Sequence, residues 1–145
     1  MPGSRFDVVD AAGRAVVALT FIYWGALKGY DAVAALIGAT PIRGGWDQYM
    51  AANGVPYPLI AGAILIEVVG GVMLALGYRT RLAALALAAF CVIANFAFHT
   101  NWTPPAGMAN WAIFVKNFAL AGALLVIAAR RPGRLSLDRR GHHDT

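Results

Sequence analysis

Glu67 is the only glutamate in the chain, and it lies near the middle of YPLIAGAILIEVVGGVMLALG, residues 57 to 77. A carboxylate at the centre of so apolar a run costs at least a few kcal/mol, so it must face protein or water and have a partner. The groups able to answer it lie in two other apolar runs. Lys116 and Asn117 sit in one; Asn95 and His99 share a helical face with Cys91 in the other, at four-residue spacing. A carboxylate and an ammonium at similar depth, extended toward the outer face by amides and an imidazole, can hold a polar headgroup or handle protons. The same groups can also serve only as interhelical ties: a fixed Glu–Lys pair, an Asn95 and Asn117 bridge, and an interfacial His99. Glu67 and His99 differ in depth by roughly 10 Å or more at 1.5 Å per helical residue, and His142 and His143 lie in a tail without further ligands, so no metal site is expected. Cys91 is the single cysteine, which excludes an intrachain disulfide or dithiol cycle. No glycine-rich phosphate loop follows a strand, and no nucleophile motif is present.

The elements that must position these groups are apolar helices. Hydrophobic residues make up 59% of the 145 and charged residues only 13%, too apolar for a water-facing globule. A net charge of +5 would suit nucleic acid, but the arginines cluster at the ends of apolar runs, where membrane topology uses them, so no nucleic-acid partner is expected. Four runs are long enough to cross a bilayer: residues 11 to 30, 57 to 77, 82 to 99 and 109 to 129. The expected fold is all-α, an integral membrane four-helix transmembrane bundle. An interfacial or re-entrant segment fills residues 31 to 56, where the short piece from Ala32 to Ile37 cannot span. Residues 1 to 134 form the transmembrane domain and 135 to 145 a solvated basic tail.

Nine arginines fall on the side shared by both termini and the turn at residues 78 to 81, against Arg43 and the rim residue Lys28 on the other, which places both termini in the cytoplasm. Arg14 and Lys28, near the two ends of the first run, read as interface anchors. Lys116, at a depth similar to that of Glu67, is the expected partner, and Ala63, Gly70 and Gly71 beside the glutamate form a small-residue face on which a neighbouring helix can approach closely. With Asn95 and His99 they outline a pocket opening outward, capped by the 31 to 56 loop, with Trp24 and Trp102 at its mouth.

The stretches YMAANGVPYP, EVVGGVMLALGYRTRLAAL from Glu67, AFH at 97 to 99, KNFALAGALL from Lys116 and RPGRLSLD in the tail resemble the DoxX family of small four-helix membrane proteins. The resemblance covers nearly the whole chain. It implies a four-span bundle in the cytoplasmic (inner) membrane, with Arg14, Glu67, Arg81 and Lys116 at the family's polar positions. Some relatives look like subunits of membrane oxidoreductases linked to quinone, thiol or sulfur chemistry. This chain would then be a non-catalytic subunit with no covalent cofactor, a quinone as its ligand, and other membrane or peripheral subunits, or copies of itself, as partners in the bilayer. Two alternatives compete: an accessory subunit that anchors a larger complex, and, more weakly, a small transporter, which no internal inverted repeat supports.

Overall fold

A computed structural model describes residues 5–105, 107–130 and 133–140. Every regular element among them is helical: α1 (Arg5–Ile37), α2 (Trp46–Ala52), α3 (Leu59–Leu76), α4 (Thr80–Phe98), α5 (Gly107–Ala129) and α6 (Leu137–Arg140). Three helices, α3, α4 and α5, are long and apolar enough to cross a membrane. α1 exceeds them all in length at 33 residues, but Arg14, Lys28 and Asp31 dilute its apolar character, and it is not among the three.

Local chemistry sets the boundaries. Pro58 precedes α3, where a missing N–H costs nothing, and Gly77 ends it at φ 66°, the left-handed cap that glycine adopts without strain. Only residues 77 to 79 separate α3 from α4. The first helix outruns the expected span at its far end. α1 continues through Tyr30 and Asp31, so residues 32 to 37 are its last turns and not a separate piece. A loop and the seven-residue α2 then form a short cap between α1 and α3.

Packing runs in chain order, α1 on α3, α3 on α4 and α4 on α5. Glycine makes the first contact close. A Cβ on Gly25 would lie 2.8 Å from the Glu67 Cβ, and one on Gly71 would lie 2.7 Å from Ile22. The small-residue face expected beside Glu67 is therefore used from both sides, with Gly70 receiving Leu87 of α4. The apolar core comprises Ala18, Phe21, Leu74, Ala83, Ala84, Leu87, Ala88, Cys91, Ala121, Leu124 and Ala128. α1 and α5 form no extended interface with each other. Between the start of α1 and the end of α5, where both helices meet the tail at what is the inner end of the bundle in the expected orientation, a groove of about 420 Å³ remains.

Candidate functional site

Gly25 brings the α1 backbone against Glu67, and one turn further along the same helix lies Lys28. Its Nζ donates to Glu67 Oε2 at 2.5 Å, with the carboxylate side chain 6% and the lysine side chain 15% exposed. Glu67 is thus paired as expected, but by Lys28 and not by Lys116. The cause is the helix boundary: with α1 running to Ile37, Lys28 lies more than two turns inside the helix and not at its rim.

Over this pair sits a lid built by another carboxylate. Asp31, 3% exposed, accepts from the backbone N–H groups of Ile42, Arg43 and Gly44 and from Trp46 Nε1 at 2.9 Å. One buried acid thereby fixes the loop that carries Arg43 and Trp46. The Arg43 guanidinium lies 5.3 Å from the Trp24 ring and 5.9 Å from Trp46, and the Lys28 ammonium 5.6 Å from Trp46. Tyr49 of α2 stacks on Phe98 at 5.3 Å and closes the cap against α4. Cations over aromatic faces are favourable where water is scarce. Residues 38 to 52, and not a loop beginning at residue 31, lie over Lys28 and Phe98. Trp102 instead joins Trp111 and Phe114 at 5.1 and 5.4 Å on the α5 side.

Asn95 is fully buried, donates to the Phe114 carbonyl at 2.8 Å and accepts from Asn117 Nδ2 at 2.9 Å. These two amides tie α4 to α5. Lys116 is exposed on α5 and has no carboxylate within 4 Å among the described residues. Its charge still acts on Cys91 and on His99, both at α4. The His99 ring has Asn110 beside it, while its Nδ1 is buried with no hydrogen-bond partner. The half of the bundle away from the tail, the outer half in the expected orientation, therefore holds one closed ion pair and two groups, Lys116 and His99, with bonding capacity to spare.

The remaining polar positions lie at the other end. Arg14, 2% exposed, donates to Asp10 at 3.1 Å and to the carbonyls of Leu74 and Leu135, each at 3.3 Å. It is a clamp between α1, α3 and the tail, not a snorkelling anchor. Asp138 accepts from the N–H groups of Arg79 and Thr80 and from the Thr80 hydroxyl at 2.6 to 2.8 Å, supplying the N-terminal cap that α4 lacks locally. The Arg134 N–H donates to Asp7, and Ser136 is buried. The tail, expected to be solvated, is docked over residues 134 to 138. Arg81 is exposed at the start of α4. His142 and His143 lie outside the described residues, and among the described residues no cluster of metal-ligating side chains occurs.

A set of apolar spanning helices, one buried ion pair between α1 and α3 and a tail that caps α4 define a small polytopic membrane protein. The DoxX family profile matches residues 9–100, and the chain belongs to that family. It is 34% identical over 135 residues to inner membrane protein YqjF of Escherichia coli (strain K12), covering 92% of each chain. It is 33% identical over 144 residues to inner membrane protein YphA of the same organism, covering 95% of this chain and 94% of that one. No solved structure matches it significantly.

Proposed function

We propose that the protein is a non-catalytic subunit of a membrane oxidoreductase whose outer half receives the headgroup of a small amphipathic redox molecule, a quinone being the chemistry that fits. In this reading α1 is a fourth span, both termini are cytoplasmic, and any redox centre belongs to a partner. Lys116 carries the argument. A lysine ammonium about 13 Å from the start of a spanning helix, exposed on that helix with no carboxylate to pair it among the described residues, is a costly group in lipid unless something answers it. A quinone carbonyl accepts from an ammonium, its ring stacks on aromatic faces, and its tail belongs among apolar helices. Cys91, His99 and the Lys28–Glu67 pair would border such a headgroup.

The accessory-subunit reading has its own support: neither the cleft at Trp102, Gly107, Met108 and Trp111 nor the groove between α1 and α5 is lined by Glu67 or Lys28, which favours a dry, structural pair. Titrating the purified full chain in nanodiscs with a short-tailed quinone, followed by tryptophan fluorescence, separates the two. Quenching that saturates, and that weakens about tenfold in Lys116→Met, supports the redox reading. Equal or absent quenching in both proteins sinks it and leaves the anchoring role. The topology is tested separately, with reporters active only outside the cytoplasm: a fusion within residues 101 to 107 should be active and a C-terminal fusion silent.

A further inference from the structure

The groove between the inner ends of α1 and α5 has an apolar floor and one unspent charge. Phe6, Val9 and Val17 of α1 face Val126 and Ile127 of α5 across it, and Arg130 stands at its rim. The other charges there are committed. Asp10 is held by Arg14 at 3.1 Å, and Arg14 also satisfies two carbonyls. Asp7 accepts from the Arg134 N–H. Arg130 has no carboxylate within 4 Å among the described residues.

Length decides what such a groove can hold. From residue 11, where the apolar run of α1 begins, the lining reaches Val17, and along α5 it runs back from Arg130 to Ala123, each roughly 10 Å and less than half of a ~30 Å hydrocarbon core. That lies within one leaflet. A partner's spanning helix would need the full thickness, whereas an acyl chain needs only its own leaflet and brings a phosphate to the level of Arg130. We propose that this groove is a binding site for an anionic phospholipid of the adjacent leaflet, with one acyl chain along the apolar floor and the phosphate on the Arg130 guanidinium. Arginine is suited to this because its planar donor fork meets phosphate oxygens two at a time. The site is independent of the outer pocket, and it would fill the gap left where α1 and α5 do not pack.

Native mass spectrometry of the full chain, released from nanodiscs of equal parts phosphatidylglycerol and phosphatidylcholine, provides the test. Phosphatidylglycerol should be retained in preference, with retention falling about tenfold in Arg130→Gln and in Val126→Trp, which fills the groove. Retention should persist in Lys116→Met, which separates this site from the quinone reading, and it should survive a wash with inorganic phosphate, which separates a lipid from a simple anion site. Both groove variants are checked for an unchanged melting temperature. Indifference to headgroup, retention unchanged in Arg130→Gln or Val126→Trp, or a dimer that Val126→Trp disperses would each overturn the proposal, the last by showing a second copy in the groove.

Discussion

The two ends of the bundle use charge in opposite ways. At the inner end the buried Arg14 and Asp7 and the half-buried Asp138 each face a chain segment they are there to hold: Arg14 joins α1, α3 and the tail, Asp138 caps α4 from 58 residues away, and Asp7 receives the Arg134 N–H. At the outer end the Lys28–Glu67 pair is closed, but Lys116 and His99 Nδ1 are left over. A charge that ties segments together stabilises by position and needs no ligand. A charge without a tie, in a medium that offers no water, is kept at a cost that folding does not repay. The difference assigns architecture to the buried inner charges and recognition to the groups left over, Lys116 and His99 in the outer half and the exposed Arg130 at the rim of the inner groove.

The largest effect should come from breaking the closed pair. Lys28→Met leaves a carboxylate buried and alone, and should destabilise by about 3–5 kcal/mol or force the acid to stay protonated. Lys28→Met combined with Glu67→Gln should recover most of the loss. Thermal unfolding in detergent distinguishes the two; a double variant as unstable as the single would mean that the pair's geometry, not its charge, holds α1 on α3. Next comes Gly25→Ala, whose new methyl would meet the Glu67 Cβ and a Val68 methyl, each at 2.8 Å. Overpacking of this kind costs about 1–3 kcal/mol, read by the same unfolding measurement. It should also loosen the Lys28–Glu67 bond, because the two helices are forced apart at the residue that brings them together.

Much of this was readable in the residues. Glu67 as a paired centre, the glycines beside it, the limits of α3 and α4 and the Asn95–Asn117 tie are all set by spacing and by the cost of polar groups in lipid. The end of α1 was not readable. Tyr30 and Asp31 look like an exit from the membrane, but Asp31 turns inward to hold the loop, and the helix continues to Ile37. That extension moves Lys28 from rim to interior and changes the partner of Glu67. The docked tail was equally hidden. RPGRLSLD reads as a solvated basic segment, and only the fold reveals that α4 lacks its own cap and that Asp138 can supply it.

The inner end should respond to acid. Burial by itself would raise the Asp138 carboxyl, but the Thr80 N–H and hydroxyl and the Arg79 N–H, with Arg14 nearby, outweigh it and hold the group below the usual carboxylate range. A group with a depressed folded pKa adds stability above its unfolded value, and that contribution disappears as pH falls through the folded value. Tail docking, followed by protease cleavage between α5 and α6, should therefore be tight at pH 7 and weaken below about pH 4. Asp138→Ala should lose about 1–2 kcal/mol at neutral pH and reduce the acid dependence to what Asp7 and Asp10 contribute. Unchanged cleavage in that variant would show that Arg14 and Asp7 hold the tail without it.

The smallest effect on stability is expected where the comparison is sharpest. Lys116→Met removes a charge that ties no other described residue in place, so stability should stay within about 0.5 kcal/mol of the parent or rise, as befits a substitution that breaks no named contact. Lys28→Met and Lys116→Met exchange the same side chain at comparable depth in the same bundle, the chain's only two lysines. If the first unfolds the protein while the second leaves it intact but without quinone quenching, the closed charge is structural and the open one is there for a ligand. A large loss of stability in Lys116→Met would reverse that assignment, since it would mean that His99 and Cys91 depend on the ammonium and that Lys116 is as firmly tied as Arg14.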